Sequence, residues 1–240
     1  MITNKIINIV KIKCRLLFRK SYSNLIKLFY KLPTYNFDFN ENEMPVKPPI
    51  LDDICLPPFM GPKDHDDYTS LMKIIMHYKP NNVLELGTAH GNTVANICNH
   101  LSDTKVYTVN APIEKQTGNL VTYNLEQNDI GRVYRNHGFE NRVIQIYENT
   151  LYMDLSKYID GKIIDLVIID ACHDTDYVIN DFKKVIPFVK KGGIVLFHDT
   201  HPSMDNHLIG SYTACMILRK KGYDIKHIEN TWWGFWINNS

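Results

Sequence analysis

Two acidic residues and two histidines stand at the ends of two strongly apolar segments in the C-terminal half of the chain. The segment IIDLVIID ends in Asp170, with His173 three residues further on, and the segment GGIVLFHDT contains His198 and Asp199 at its end. Carboxylates and imidazoles together can bind a divalent cation or move a proton near neutral pH. Because the carboxyl ends of adjacent parallel strands lie about 4.8 Å apart, we expect these side chains to meet in one crevice.

These residues suggest two kinds of chemistry. Asp170, Asp199 and His198 are the candidate ligands of a metal ion, and His173 is the candidate general base. Two carboxylates favour magnesium or manganese, whereas a histidine ligand shifts the preference towards manganese or zinc. An interpretation without a metal stays open, in which Asp170 contacts a cofactor, Asp199 caps the next segment and His173 bonds to loop backbone.

The turn ELGTAHGNT, residues 85–93, is the second feature with chemical meaning. Gly87 and Gly91 allow the backbone to turn tightly and to approach a ligand closely before a helix begins. A dinucleotide fingerprint needs GxGxxG, but the spacing here is GxxxG, and Glu85 places a carboxylate where a pyrophosphate needs bare amides. A ligand with an ammonium and a sulfonium group suits that carboxylate better. An ordinary strand-to-helix turn is the competing interpretation.

The elements that must position these residues alternate along the chain. Helices are predicted over residues 64–78, 92–101, 113–128, 175–189 and 209–221, and strands over NVLELG, KVYTVN, RVIQIY, IIDLVIID, GGIVLFHD, YDIKHIE and TWWGFWIN. Strands that are apolar on both faces and alternate with helices indicate an α/β fold with a doubly wound, mostly parallel sheet. In such sheets ligands bind at the carboxyl ends of the strands.

The segments VLELGTAHGNT, VIIDACH and IVLFHDT resemble the motifs of the class I S-adenosylmethionine-dependent methyltransferases. The chain is most similar to the small-molecule and sugar O-methyltransferases whose motifs are arranged as in catechol O-methyltransferase. The resemblance covers the chain from about Pro57 to the C-terminus. It implies a Rossmann-like, seven-stranded sheet whose last strand runs antiparallel between its neighbours, and it implies methyl transfer from S-adenosylmethionine to a hydroxyl.

The resemblance also implies contacts with S-adenosylmethionine. Glu85 and the two glycines would line its methionine end, and Thr93 would bond to its carboxylate. The second strand normally ends in an acid that binds the ribose hydroxyls, but this chain has the neutral Asn110 there, with Glu114 as a candidate replacement. The implied cofactor contacts are Glu85, Gly87, Thr88, Ala89, Gly91, Thr93, Asn110, Asn149, Thr150 and Asp170.

Charge and proline divide the chain into three parts: a basic arm over residues 1–34, a proline-rich linker over 35–63 and the methyltransferase-like domain over 64–240. Residues 1–37 carry eight lysines and arginines and no acidic residue. The apolar residues of the arm have helical spacing, which is typical of an amphipathic helix on an anionic membrane surface. The competing interpretation is an arm that docks on its own domain or on a second copy in a homo-oligomer.

The composition excludes several classes of function. Five cysteines without a CxxC pair favour a reducing, cytoplasmic compartment. Beyond residue 37 the chain has 19 basic and 26 acidic residues, so a nucleic-acid partner is not expected. No apolar run approaches the roughly 20 residues of a membrane span. The alternative to an enzyme is an inactive methyltransferase-fold scaffold that acts through its basic arm.

Overall fold

The computed structural model describes residues 31–37, 45–50, 67–116, 125–201 and 210–240. Nearly all of the predicted basic arm and most of the linker lie outside the described residues. The described residues form one sheet with helices on its two faces.

Within the described residues the sheet has eight strands in the order β1-β7-β8-β6-β5-β2-β3-β4. Their bounds are β1 (Thr34–Tyr35), β2 (Asn82–Leu86), β3 (Lys105–Val109), β4 (Val143–Ile146), β5 (Ile164–Ile169), β6 (Val189–Phe197), β7 (Lys226–Ile228) and β8 (Gly234–Ile237). Of these described strands, only β8 runs antiparallel to its neighbours, β6 and β7. The predicted mostly parallel sheet with an antiparallel last strand is confirmed, and the strand beyond the expected seven is β1, a short edge strand beside β7.

The described helices are α1 (Asp67–Tyr78), α2 (Asn92–His100), α3 (Arg132–Asn136), α4 (Thr175–Val185) and α5 (Gly210–Lys220). The helix predicted over residues 113–128 is wrong in its described part. A single 3-10 turn, Ile113–Lys115, ends where Gln116 becomes extended, residues 127–130 form turns, and residues 117–124 lie outside the described residues. The sequence pattern also missed α3, which follows the left-handed Gly131.

The core lies on both faces of the sheet, as expected for parallel strands covered by helices. Alternate residues of β5 point to opposite faces, so that Val167 and Ile169 join one buried cluster while Leu166 and Ile168 join the other. The aromatic residues of β8 follow the same alternation. No helix in the described part of the chain combines the length and the hydropathy that crossing a bilayer requires.

The described parts of the arm and the linker dock on this core. The Leu32 amide donates to the Tyr212 hydroxyl at 3.3 Å, and the backbone of Ile50 exchanges two hydrogen bonds with the Asn96 side chain at 2.8 and 2.9 Å. These contacts agree with a linker that wraps on the surface. The boundaries of the three predicted parts stay a prediction.

Arg142 closes the C-terminal end of α2. Its guanidinium donates to the carbonyl oxygens of Cys98, Leu101 and Ser102 at 2.7, 2.6 and 2.9 Å. The last carbonyls of a helix have no partner within the helix, and a cation there also interacts favourably with the helix dipole. One side chain from the 3-10 turn just before β4 therefore anchors the helix that follows the glycine turn.

Helix α4 holds the loop that follows β4. The Asn180 amide donates to the Thr150 carbonyl at 3.3 Å, and Lys184 donates to the carbonyls of Leu151 and Met153 at 2.9 and 2.7 Å. Asp181 is fully buried beside them, and burial raises the pKa of its carboxyl to about 7, although a bond from the Thr150 side chain opposes that shift. Asn180 and Lys184 thus fix the loop, beside a buried carboxyl that is costly to ionise.

We expect Arg142→Ala to lower the free energy of unfolding by roughly 2 kcal/mol, because three carbonyls lose a charged donor. Urea denaturation measures the loss, and Lys162→Ala, which removes an exposed loop cation, serves as the control. An Arg142→Ala variant as stable as the Lys162→Ala variant would contradict this account of α2.

We expect Asp181 to make the protein less stable as the pH rises. The folded-state pKa of about 7 exceeds the ordinary value of 3.8, so the contribution of this group is complete below the ordinary pKa and is lost as the pH approaches 7. The stability of Asp181→Asn relative to the parent should therefore grow by up to about 1.4 kcal/mol per pH unit between those limits. Denaturation at several pH values measures it, with the exposed Asp160→Asn as the control. Parallel pH profiles for parent and Asp181→Asn would show the idea to be wrong.

Candidate functional site

The site lies where β2, β5 and β6 end side by side. Leu86 pairs with Ile169, and Ile169 pairs with Phe197, so the residues that follow these strands meet at one edge of the sheet. The Asp170 amide donates to the Leu86 carbonyl at 2.9 Å, and the His198 amide donates to the Ile169 carbonyl at 3.1 Å. The backbone register thus brings Asp170 and His198 together.

The side chains of the four predicted residues form one connected cluster. His198 Nδ1 lies 2.9 Å from Asp170 Oδ1 and 3.4 Å from Asp199 Oδ1. His173 Nε2 lies 2.9 Å from Asp199 Oδ2 and 3.3 Å from Asp170 Oδ1. Each histidine therefore contacts both aspartates. Asp199 also has a left-handed backbone (φ 57°), which is uncommon outside glycine and is often found at functional sites.

A fifth member of the cluster, Asp67, was missed by the sequence analysis. Asp67 is the first residue of α1, and its Oδ2 lies 2.9 Å from His198 Nε2. The Trp233 ring packs against the same imidazole, with ring centroids 4.5 Å apart. The acidic first turn of α1 was visible in the sequence, but helical spacing alone does not indicate which strand end a helix start approaches.

The charges of the cluster stabilise one another. Burial alone would lower the pKa of His198, but Asp170, Asp67 and Asp199 together raise it well above the ordinary value. Burial would also lower the pKa of His173, but its hydrogen bonds to Asp170 and Asp199 outweigh burial and raise that pKa to about 9. Burial would raise the pKa of Asp170, yet the two histidines hold it below its ordinary value. Without a cation, both imidazoles are thus protonated at neutral pH, and Asp170 is ionised.

The same cluster has the donor atoms for a divalent cation. Among the described residues, Asp170, His173 and His198 each offer one ligand atom, and these atoms lie within 4.8 Å of one another. Asp199 contacts both histidines but is not one of these three, so His173, the predicted general base, stands in this group in the place predicted for Asp199. A mixture of carboxylate oxygen and imidazole nitrogen fits manganese or zinc better than magnesium.

The glycine turn is packed directly against this cluster. Gly87 has φ +112°, and a Cβ on it would lie 2.1 Å from the carbonyl oxygen of Asp170, so only glycine fits at this close approach of two strand ends. Gly91 has φ +87°, and a Cβ there would meet the Tyr134 ring at 2.8 Å and the Gly131 backbone at 2.9 Å. Both glycines are therefore required by the packing of the turn itself.

Glu85 does not face the crevice as a free carboxylate. Only 1% of it is exposed, and Thr108, its neighbour on β3, donates to its Oε2 at 2.6 Å. Burial raises the pKa of Glu85 to about 8, although bonds from Thr108 and Thr93 oppose the shift. Glu85 is thus mostly protonated at neutral pH, and Asp170, whose side chain is 31% exposed, offers the negative charge beside the turn. The implied cofactor contacts of Glu85 and Thr93 stay predictions.

Asn110 and Thr88 are tied to the same turn. The Ala89 amide donates to Asn110 Oδ1 at 3.0 Å, and Asn110 Nδ2 donates to the Ala111 carbonyl at 3.1 Å. The Thr88 hydroxyl is buried, 2.6 Å from that of Thr108. The amide at position 110 therefore fixes the turn after Gly87, a role that a carboxylate could share only in part because it has no donor. Its ribose contact stays a prediction.

Asn149 and Thr150, two of the implied cofactor contacts, lie beyond β4. Asn149 Nδ2 donates to the Lys115 carbonyl at 3.1 Å, while its Oδ1 accepts from the Leu151 amide at 2.9 Å. Thr150 is buried against α4. Glu114, on the same 3-10 turn as Lys115, borders an open cavity of about 490 Å³. These positions follow β3 and β4 along the chain, and their cofactor contacts stay predictions.

Comparison with known proteins agrees with this geometry. Residues 84–200, which run from the glycine turn to the second acid–histidine pair, match the family model of a methyltransferase domain. No protein of curated function matches the sequence significantly.

Several solved structures share the fold at low sequence identity. One is a Staphylococcus aureus protein with the provisional name caffeoyl-CoA O-methyltransferase (17% identity, TM-score 0.53, 91% of this chain and 97% of that chain covered). A cofactor-bound protein from MTB has 16% identity and a TM-score of 0.52, with 75% and 84% covered. An O-methyltransferase family protein from Burkholderia thailandensis has 14% identity and a TM-score of 0.50, with 68% and 52% covered.

These likenesses concern the fold, because the identities are low, and the family match concerns the segment that carries the site. The fold likeness and the family match agree with each other, and together they confirm the predicted resemblance to the methyltransferases. Residues 84–200 are similar to a methyltransferase domain, and the chain has the fold of the class I S-adenosylmethionine-dependent methyltransferases.

Proposed function

We propose that the protein transfers the methyl group of S-adenosylmethionine to a hydroxyl of a small molecule or sugar. One observation carries the proposal: Asp170 belongs to both halves of the site. Its backbone contacts Leu86 and Gly87 at the glycine turn, and its carboxylate contacts His173 and His198. A methyl donor at the turn would therefore lie beside the groups that can activate an acceptor.

The charge of Asp170 supports a positively charged donor. Its pKa is held below the ordinary value, so the carboxylate is ionised. The Asp170 side chain is 31% exposed, and the backbone carbonyl of the same residue lies against Gly87. A sulfonium and an ammonium group both gain from a nearby carboxylate, whereas a pyrophosphate would be repelled by it. The low exposure of the surrounding residues keeps this attraction stronger than it would be in water.

Transfer to oxygen requires that the acceptor hydroxyl lose its proton. A divalent cation on Asp170, Asp199 and His198 would lower the pKa of a hydroxyl bound to it. His173 contacts two of these side chains: its Nε2 lies 2.9 Å from Asp199 Oδ2 and 3.3 Å from Asp170 Oδ1. With a cation balancing the carboxylates in place of the imidazole protons, a neutral His173 would accept the hydroxyl proton, and Asp199 would stabilise the resulting imidazolium, as a carboxylate does for a catalytic imidazole.

Oxygen as the acceptor atom is supported by the chemistry of the cluster and by the fold neighbours whose names include O-methyltransferase. Soluble small molecules or sugars fit better than nucleic acid, because the chain beyond the basic arm has an excess of acidic residues.

Isothermal titration of the full chain with S-adenosylmethionine is the direct test of the donor. We expect binding by the parent, at least tenfold weaker binding by Asp170→Asn because a charge beside the donor is lost, and no binding of NAD as the comparison ligand. Binding of NAD without binding of S-adenosylmethionine would contradict the proposal. Binding of neither ligand would favour the inactive scaffold.

Asp199→Ala separates chemistry from cofactor binding. We expect this variant to lose methyl transfer while its affinity for S-adenosylmethionine changes by less than about threefold, since Asp199 contacts the histidines and not the glycine turn. Mass spectrometry of mixtures of candidate sugars and phenols detects methylated products, with Asp160→Ala as the control. Full activity in Asp199→Ala, insensitive to EDTA, would remove the cation from the mechanism and leave methyl transfer standing.

A further inference from the structure

We propose that Asp67 is a positioning residue that holds His198 in the orientation needed to bind a divalent cation at the strand ends. The inference rests on the proposed function, because it concerns the same cluster. Asp67 lies outside the segment 84–200 that matches the methyltransferase model, on a helix that precedes the first central strand.

The geometry around His198 leaves its ring one orientation. Nε2 lies 2.9 Å from Asp67 Oδ2, Nδ1 lies 2.9 Å from Asp170 Oδ1, and the Trp233 ring covers one face. With Nε2 bonded to Asp67, Nδ1 is the nitrogen that faces Asp170 and Asp199. A histidine that binds a metal through one nitrogen usually donates its other N–H to a carboxylate or carbonyl, which fixes the tautomer and the ring plane.

A purely structural role explains the placement of Asp67 poorly. An acidic residue in the first turn of a helix gains from the helix dipole while it stays in water, but the Asp67 side chain is only 16% exposed. Its second oxygen, Oδ1, is buried and has no hydrogen-bond partner among the described residues. Burying a carboxylate in this way is unfavourable unless a positive partner compensates, and the described partner is His198.

The contacts of three carboxylates with the histidines indicate how a cation would be held on His198. Asp67, Asp170 and Asp199 all contact His198, and the last two also contact His173. If the cation displaces the proton on Nδ1, Asp67 still accepts the proton on Nε2. An ion there would be bound by a neutral imidazole whose other nitrogen is held by the Asp67 carboxylate. This is the arrangement that raises the basicity of a ligating histidine.

Manganese binding by the full chain without cofactor tests the inference. We expect the affinity for Mn²⁺, measured by titration calorimetry, to fall about 10- to 100-fold in Asp67→Ala and by a smaller factor in Asp67→Asn, which keeps an acceptor but loses the charge. The affinity for S-adenosylmethionine should stay within about threefold of the parent. Asp176→Asn is the matched control, because Asp176 is also an acidic residue in the first turn of a helix.

Thermal unfolding of each variant shows whether a loss of affinity merely follows a loss of fold. Should Asp67→Ala unfold, Asp67→Asn carries the test. Unchanged Mn²⁺ affinity in the folded variants would overturn the positioning role. A parent that binds S-adenosylmethionine but not Mn²⁺ would also overturn it while sparing methyl transfer, whereas a parent that binds neither would contradict the proposed function itself.

Discussion

The structure depends on bringing several carboxylates and two imidazoles together at one edge of the sheet. Like charges at these distances repel strongly when water is excluded, so the aspartates can meet only because His173 and His198 lie between them. The parallel pairing of β5 with β6 and of β5 with β2 fixes these positions, and glycine at position 87 allows the close approach. A cation at the centre would replace the protons that now balance the charge.

Much of the fold and half of the site could be predicted from sequence because they follow from local rules. Continuous apolar segments between helical patterns imply a parallel sheet, and a parallel sheet implies that Asp170 and His198, at equivalent strand ends, lie side by side. The structure brings them within 2.9 Å. The glycine spacing indicated the turn for the same reason, since a backbone requirement is visible in the residue type itself.

The remaining features depend on contacts across the fold that no local pattern encodes. Asp67 meets His198 across 131 positions of the chain. Burial beside Thr108 keeps Glu85 mostly protonated, and Asn110 bonds to the backbone of the turn, although both look like cofactor ligands in the sequence. In place of the helix expected from Ile113 there is a single 3-10 turn, which ends where the backbone of Gln116 becomes extended.

The central claim is that one crevice holds a methyl donor at the glycine turn and a divalent cation at the acid–histidine cluster. Diffraction from crystals grown with S-adenosylhomocysteine and Mn²⁺, recorded for anomalous scattering, tests both parts at once. The account predicts the sulfur of the ligand beside Gly87 and a manganese peak within bonding distance of Asp170 and His198. A ligand seated away from the turn, or a cluster that keeps its imidazole–carboxylate contacts with no metal at saturating Mn²⁺, would contradict it.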